Sequence, residues 1–120
     1  MNKSNLTLSI KQKYFDEILS GTKKIETREV NYKNNSRYCL LNENNDNFLD
    51  ENGKIAVKKY DTITFLTGAY TVTRPKMVVE VLDAEVFQLE DENGELITYY
   101  ENEKEYAMSV IEFKLGKILE

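Results

Sequence analysis

The sequence predicts a small α+β domain that is mainly β. Three observations predict it. Short segments along the chain alternate apolar and polar residues with the two-residue period of a half-buried strand, one stretch carries helical spacing, and Gly, Asn and Asp fall between them as turn signals. The length of 120 residues suits one domain, 1–120, with a single core.

Leu6-Thr7-Leu8-Ser9-Ile10 alternates apolar residues with hydroxyls and reads as a first strand facing its core through Leu6, Leu8 and Ile10. From Lys11 to Ser20 the apolar positions Tyr14, Phe15, Ile18 and Leu19 form the stripe of a short helix, and Gly21 is placed as its C-terminal cap. A second strand follows over Lys23 to Val30. Asn31 to Ser36 is a polar loop, and Arg37 to Leu41 is an apolar segment whose length fits a strand or a helical turn equally. Asn42 to Gly53 reads as an exposed polar excursion with Phe48 and Leu49 as its apolar tether, and Asn52-Gly53 turns the chain into a short strand at Ile55 to Val57. Tyr60 to Thr67 is the next strand, with Ile63 and Phe65 on one face. Met77 to Val86 is the longest apolar run and reads as a central strand, in which Glu80 shares a face with Val78 and Leu82. Asn93-Gly94 is a hairpin turn between short strands near 86–89 and 95–100. Tyr106 to Leu119 closes the chain, with Ile111, Phe113 and Leu115 alternating inward.

Composition excludes several kinds of chemistry. The chain has no histidine and one cysteine, Cys39, so a zinc site of the usual nitrogen and sulfur ligands and any imidazole triad are ruled out. No metal or cofactor is expected, and acid-base work falls to carboxylates, lysine or tyrosine. No apolar run approaches the roughly 18 to 20 residues that span a bilayer, and the N-terminus has no basic-then-apolar leader pattern. A cytoplasmic protein without a membrane partner is the expectation, and the lone cysteine agrees with a reducing compartment. The net charge is −5, but residues 1–40 carry +4 and residues 41–120 carry −9. The overall sign argues against non-specific binding to a long polyanion, whereas the basic first third, with Lys11, Lys13, Lys23, Lys24, Arg28, Lys33 and Arg37, suits a local phosphate contact.

The densest charge pattern is Gly21-Thr22-Lys23-Lys24-Ile25-Glu26-Thr27-Arg28. In an extended strand Glu26 and Arg28 share one face with Lys24, while Ile25 and Thr27 take the other. The reading expects the Ile25 face to pack on the core, and the charged face to carry a carboxylate beside a guanidinium in a water-accessible cleft with Lys23.

The spacing G-x-K-x-x-E-x-R, preceded by Tyr14-Phe15-Asp16-Glu17-Ile18-Leu19-Ser20, resembles the signature of the ASCH domain family. Leu6–Ile10, Tyr60–Phe65 and Val110–Ile118 are similar to that family's first, middle and closing strands. The resemblance implies a small PUA-like β-barrel of about five to seven mixed strands with one or two short helices packed on it. It also implies recognition of RNA or of a nucleoside- or nucleotide-like small molecule. Lys23 and Arg28 would meet phosphate or a base edge, Glu26 would orient Arg28 or accept an exocyclic amine, and Tyr70 or Tyr32 would stack, with Arg74 beside Tyr70 in the loop ended by the only proline, Pro75. With the net charge negative, a small ligand or a structured single-stranded end is favoured over a long duplex.

Two other readings stand beside this one. An ASCH-like branch resembles amidohydrolases that remove acyl groups from modified cytidine with a lysine, a threonine and a glutamate. Here Lys23 matches the lysine, Glu26 occupies the threonine's place, and Glu80 is a guessed substitute for the glutamate, so Lys23 and Glu26 are the catalytic candidates. Alternatively Glu26 and Arg28 form an ion pair that only locks the fold.

Overall fold

A computed structural model describes residues 4–43, 47–68 and 75–119. Along it run β1 (Asn5–Ser9), α1 (Gln12–Ser20), β2 (Ile25–Val30), α2 (Asn35–Tyr38), β3 (Thr62–Leu66), β4 (Lys76–Gln88), β5 (Thr98–Glu101), β6 (Lys104–Ala107) and β7 (Ser109–Ile118). The chain is α+β and mainly β, as the alternating segments predict. Five strands form one sheet in the order β1-β3-β4-β7-β2, and β5 pairs with β6. The larger sheet is mixed, with β1 parallel to β3 and β3 antiparallel to β4. The fold divides into two compact units, Met1–Glu26 with Lys59–Asp83 and Phe113–Glu120, and Thr27–Lys58 with Ala84–Glu112. Three of the four boundaries fall inside β2, β4 and β7.

The first unit is built on two rungs of side chains. Register places Leu6, Ile63 and Val79 side by side across β1, β3 and β4, and Leu8, Phe65 and Met77 beside them. All six are buried, Ile63 and Phe65 completely. Phe113 and Leu115 of β7 and Phe15 and Ile18 of α1 are the other buried apolar residues described in this unit. The alternating partners Thr62 and Thr64 take the other face of β3, where their hydroxyls both donate to Asn5 Oδ1 at 2.8 and 3.0 Å. Thr62 is itself buried and Thr64 half-buried, so period-two patterning fixes which way β3 faces because a one-residue slip would break the Asn5 hydrogen bonds and turn Phe65 away from Leu8 and Met77.

Helix α1 ends where a residue must enter the left-handed region. Gly21 has φ +84° and its N–H bonds back to Ile18 O at 3.1 Å, while Thr22 and Lys23 N–H both reach Glu17 O at 3.0 Å. A Cβ at Gly21 would touch nothing within 4 Å, so the demand is conformational and not steric. Gly21→Ala should cost about 1 to 2 kcal/mol in urea denaturation, with the helix otherwise intact. Only Phe15 and Ile18 of the predicted stripe are buried; Tyr14 and Leu19 are exposed.

The second unit uses one turn twice. Asp50-Glu51-Asn52-Gly53 and Asp91-Glu92-Asn93-Gly94 are the same four residues, and they close the same loop. In each the aspartate Oδ1 accepts two backbone N–H groups, from Asn52 and Lys54 at 2.8 and 3.0 Å and from Asn93 and Glu95 at 2.9 and 3.0 Å. Gly53 and Gly94 take φ +78° and +79°, which is why asparagine-glycine reads as a turn. The first loop joins residues bridged at Leu49 and Ile55 and the second those bridged at Glu90 and Leu96.

Two expectations need correction here. Phe48 and Leu49 are 50% and 63% exposed, so they do not tether the 42–53 segment; its order comes from the Asp50 turn and backbone pairing, with residues 44–46 outside the described set. The segment 37–41 is neither simply strand nor simply helix. It leaves the short α2 at Tyr38, and Cys39 then bridges Val57. Val30, Tyr38, Cys39, Val86 and Ile111 are the buried apolar residues of this unit. Burial pushes the Cys39 thiol above its ordinary pKa, which makes it a packing residue and not a reactive one. Among the described residues no helix is long and apolar enough to cross a membrane, and no cluster of three metal-ligating side chains occurs.

Candidate functional site

The motif lies where α1 hands the chain to β2. Because Gly21 reverses the backbone and Glu17 O holds the Thr22 and Lys23 amides, Lys23 leaves the helix end with its stem directed along the start of β2. Its ammonium donates to Ile25 O at 2.8 Å and pairs with Glu26 Oε1 at 3.2 Å. The same nitrogen is 5.4 Å from the centroid of the Tyr14 ring, a cation–π distance. Lys23 keeps 22% of its side chain accessible, whereas the Glu26 side chain keeps 7%. The pair thus offers a solvent-facing cation fixed by a buried anion, and the anion needs that compensation.

The sequence reading had the faces of β2 the wrong way round. Ile25 is 43% exposed, while Glu26 is buried at 5%, Arg28 is half-buried and Val30 is buried. Alternation still holds, so Glu26, Arg28 and Val30 form the inward row and Ile25, Thr27 and Glu29 the outward one. The physical reason is that Lys23 offsets the Glu26 carboxylate without leaving the surface, so the carboxylate can turn inward.

Of the predicted residues, Lys23 and Glu26 come together in the first unit. Arg28 follows two positions on along β2, within the second unit. Tyr70 and Arg74 lie outside the described residues. Glu80 has a partner other than Lys23: its Oε1 accepts the Lys117 N–H at 3.4 Å, and it lies over Gly116, where a Cβ would collide with it. Tyr14, whose ring flanks the Lys23 ammonium, was missed as a site residue; its place one helical turn before Ile18 was read only as core stripe.

A cavity of about 560 Å³ belongs to the second unit, and Lys23, Glu26 and Arg28 are not among its lining residues. Tyr32, Tyr99 and Tyr106 line it. Tyr32 was legible as a stacking candidate, but the two rings of the β5–β6 hairpin were not.

A small mainly-β domain with a lysine–glutamate pair clamped between its first helix and second strand is the class these features define. The ASCH domain model matches residues 8–117, nearly the whole chain, and the chain belongs to the ASCH domain family. No curated protein and no solved structure matches it.

Proposed function

We propose that this ASCH domain recognises a nucleotide-like ligand, either a free nucleoside or nucleotide or the single-stranded end of an RNA, through the Lys23 and Glu26 side chains. The observation that carries the reading is the Lys23–Glu26 pair: a carboxylate buried at 5% exposure holds an ammonium that stays partly open to water. A cation fixed in this way is preorganised for an anionic or base-edge acceptor, since little side-chain freedom is left to lose on binding. Family membership supports the choice of ligand class, and the negative total charge favours a compact ligand over a long duplex.

Thermal-shift titration with nucleosides, nucleotides and short single-stranded RNAs tests this, because a ligand that binds the native state raises its apparent stability. Binding should weaken about tenfold or more in Lys23→Ala, as for loss of a charge-assisted hydrogen bond. If none of these compounds shifts the transition, the reading fails.

One observation favours a second reading, nucleoside deacylation. The Lys23 amine and the Glu26 carboxylate, the two candidate catalytic groups, are 3.2 Å apart, within the reach that a base and its partner need. Water would then split an acylated cytidine into cytidine and a carboxylic acid. Incubation with such a substrate should release cytidine, and an unchanged mixture removes this reading.

A further inference from the structure

The cavity of the second unit is walled by aromatic rings in an arrangement that selects among ligands. Tyr99 and Tyr106 face each other across the β5–β6 ladder, with ring centroids 5.5 Å apart and planes inclined by 23°. Tyr32 continues the row, 5.6 Å from Tyr106 at the same inclination. Its hydroxyl donates to Glu101 Oε1 at 2.9 Å, which fixes the outer ring. All three rings line the cavity. The rings are stacked on one another, so their facing sides are taken by neighbouring tyrosines and a planar partner can extend the row only at its end, whereas a compact cation needs ring faces turned towards it from several sides. Lys33 lies 5.8 Å from the Tyr32 centroid and Lys104 5.4 Å from that of Tyr106, which leaves Tyr99 as the end of the row with no lysine over it among the described residues.

A second observation sets the polarity of the missing partner. Asn35 also lines the cavity, and its Oδ1 is buried with no hydrogen-bond partner among the described residues. A buried amide oxygen left unpaired carries a cost that a donor would remove. The Glu105 carboxylate, another lining group, is likewise an acceptor. The volume of about 560 Å³ falls within the range of small-molecule sites.

We infer that the tyrosine-lined cavity is a binding site for a planar nitrogen heterocycle of nucleobase size, stacked on Tyr99 at the end of the Tyr32–Tyr106–Tyr99 row and donating an exocyclic amine N–H to Asn35. This site is separate from the Lys23–Glu26 pair and stands or falls without it.

Titration of the full chain with adenosine, guanosine and cytidine to about 10 mM, with choline as a compact cation, tests the inference by NMR of the tyrosine rings and the Asn35 amide. At least one aminated nucleoside should move the Tyr32, Tyr99, Tyr106 and Asn35 resonances while choline moves none. Asn35→Leu should weaken that binding about tenfold, and Tyr99→Leu, which leaves Asn35 in place, should weaken it too in protein that circular dichroism shows to be folded. The inference is overturned if no aminated nucleoside moves these resonances, if choline moves them instead, or if the folded Tyr99→Leu and Asn35→Leu variants bind the nucleoside as the wild-type chain does.

Discussion

Phe65→Ala is expected to lower the free energy of unfolding by about 3 to 5 kcal/mol. The ring is completely buried, and register sets Leu8 on one side of it and Met77 on the other. Both neighbours belong to strands hydrogen-bonded to β3, so neither can close the gap without breaking a ladder. The cost therefore includes both the lost transfer energy of the ring and the cavity left behind. Against a usual total of roughly 5 to 15 kcal/mol, that loss leaves a marginal protein. Urea denaturation should show a lower midpoint with an unchanged slope, and Phe65→Leu should cost much less. A loss below about 1 kcal/mol for the alanine variant would mean that this rung is not the centre of the first unit's core.

The second large effect concerns the Lys23–Glu26 pair. A double-mutant cycle with Lys23→Ala and Glu26→Ala should give a coupling energy of about 1 to 3 kcal/mol, above the value below about 1 kcal/mol usual for exposed pairs. Two features set the difference. The carboxylate side chain retains 7% exposure, so its charge is poorly shielded by water, and the lysine is already anchored by Ile25 O at 2.8 Å, so less side-chain entropy opposes the contact. The coupling should persist at molar salt, because a partly buried pair is screened less than a surface one. A coupling near zero would class the two residues as ordinary surface charges.

How far the sequence could be read depended on whether local chemistry or distant packing set each feature. Strands β1, β3 and β7 were legible because their apolar residues repeat at two, β4 because it is the longest apolar run, and Gly21, Gly53 and Gly94 because each turn needs the backbone freedom that glycine has. The β5–β6 hairpin was not. Its turn uses Asn102 and Glu103 at φ 52° and 67°, and a glutamate there gives no turn signal. The charged motif was visible as a motif, yet its burial was misjudged, because Ile25 looks like the core residue of β2 and Glu26 like the exposed one. What reverses them is the ammonium of Lys23 reaching back from the helix end, a contact set by the cap at Gly21 and not by strand periodicity. Asn35 gave no sign of its role, since an asparagine in a run of asparagines reads as loop, and only the fold leaves its oxygen buried without a partner.

Backbone amide NMR during titration with nucleotides and a short single-stranded RNA tests the ligand reading most directly. Residues 23–28 should shift together and saturably in the wild-type chain, and those shifts should be lost in Lys23→Ala while the rest of the spectrum stays that of the folded protein. Saturable binding that leaves 23–28 unmoved, or a folded chain that none of these compounds perturbs, would contradict a ligand site built on the lysine and its buried carboxylate.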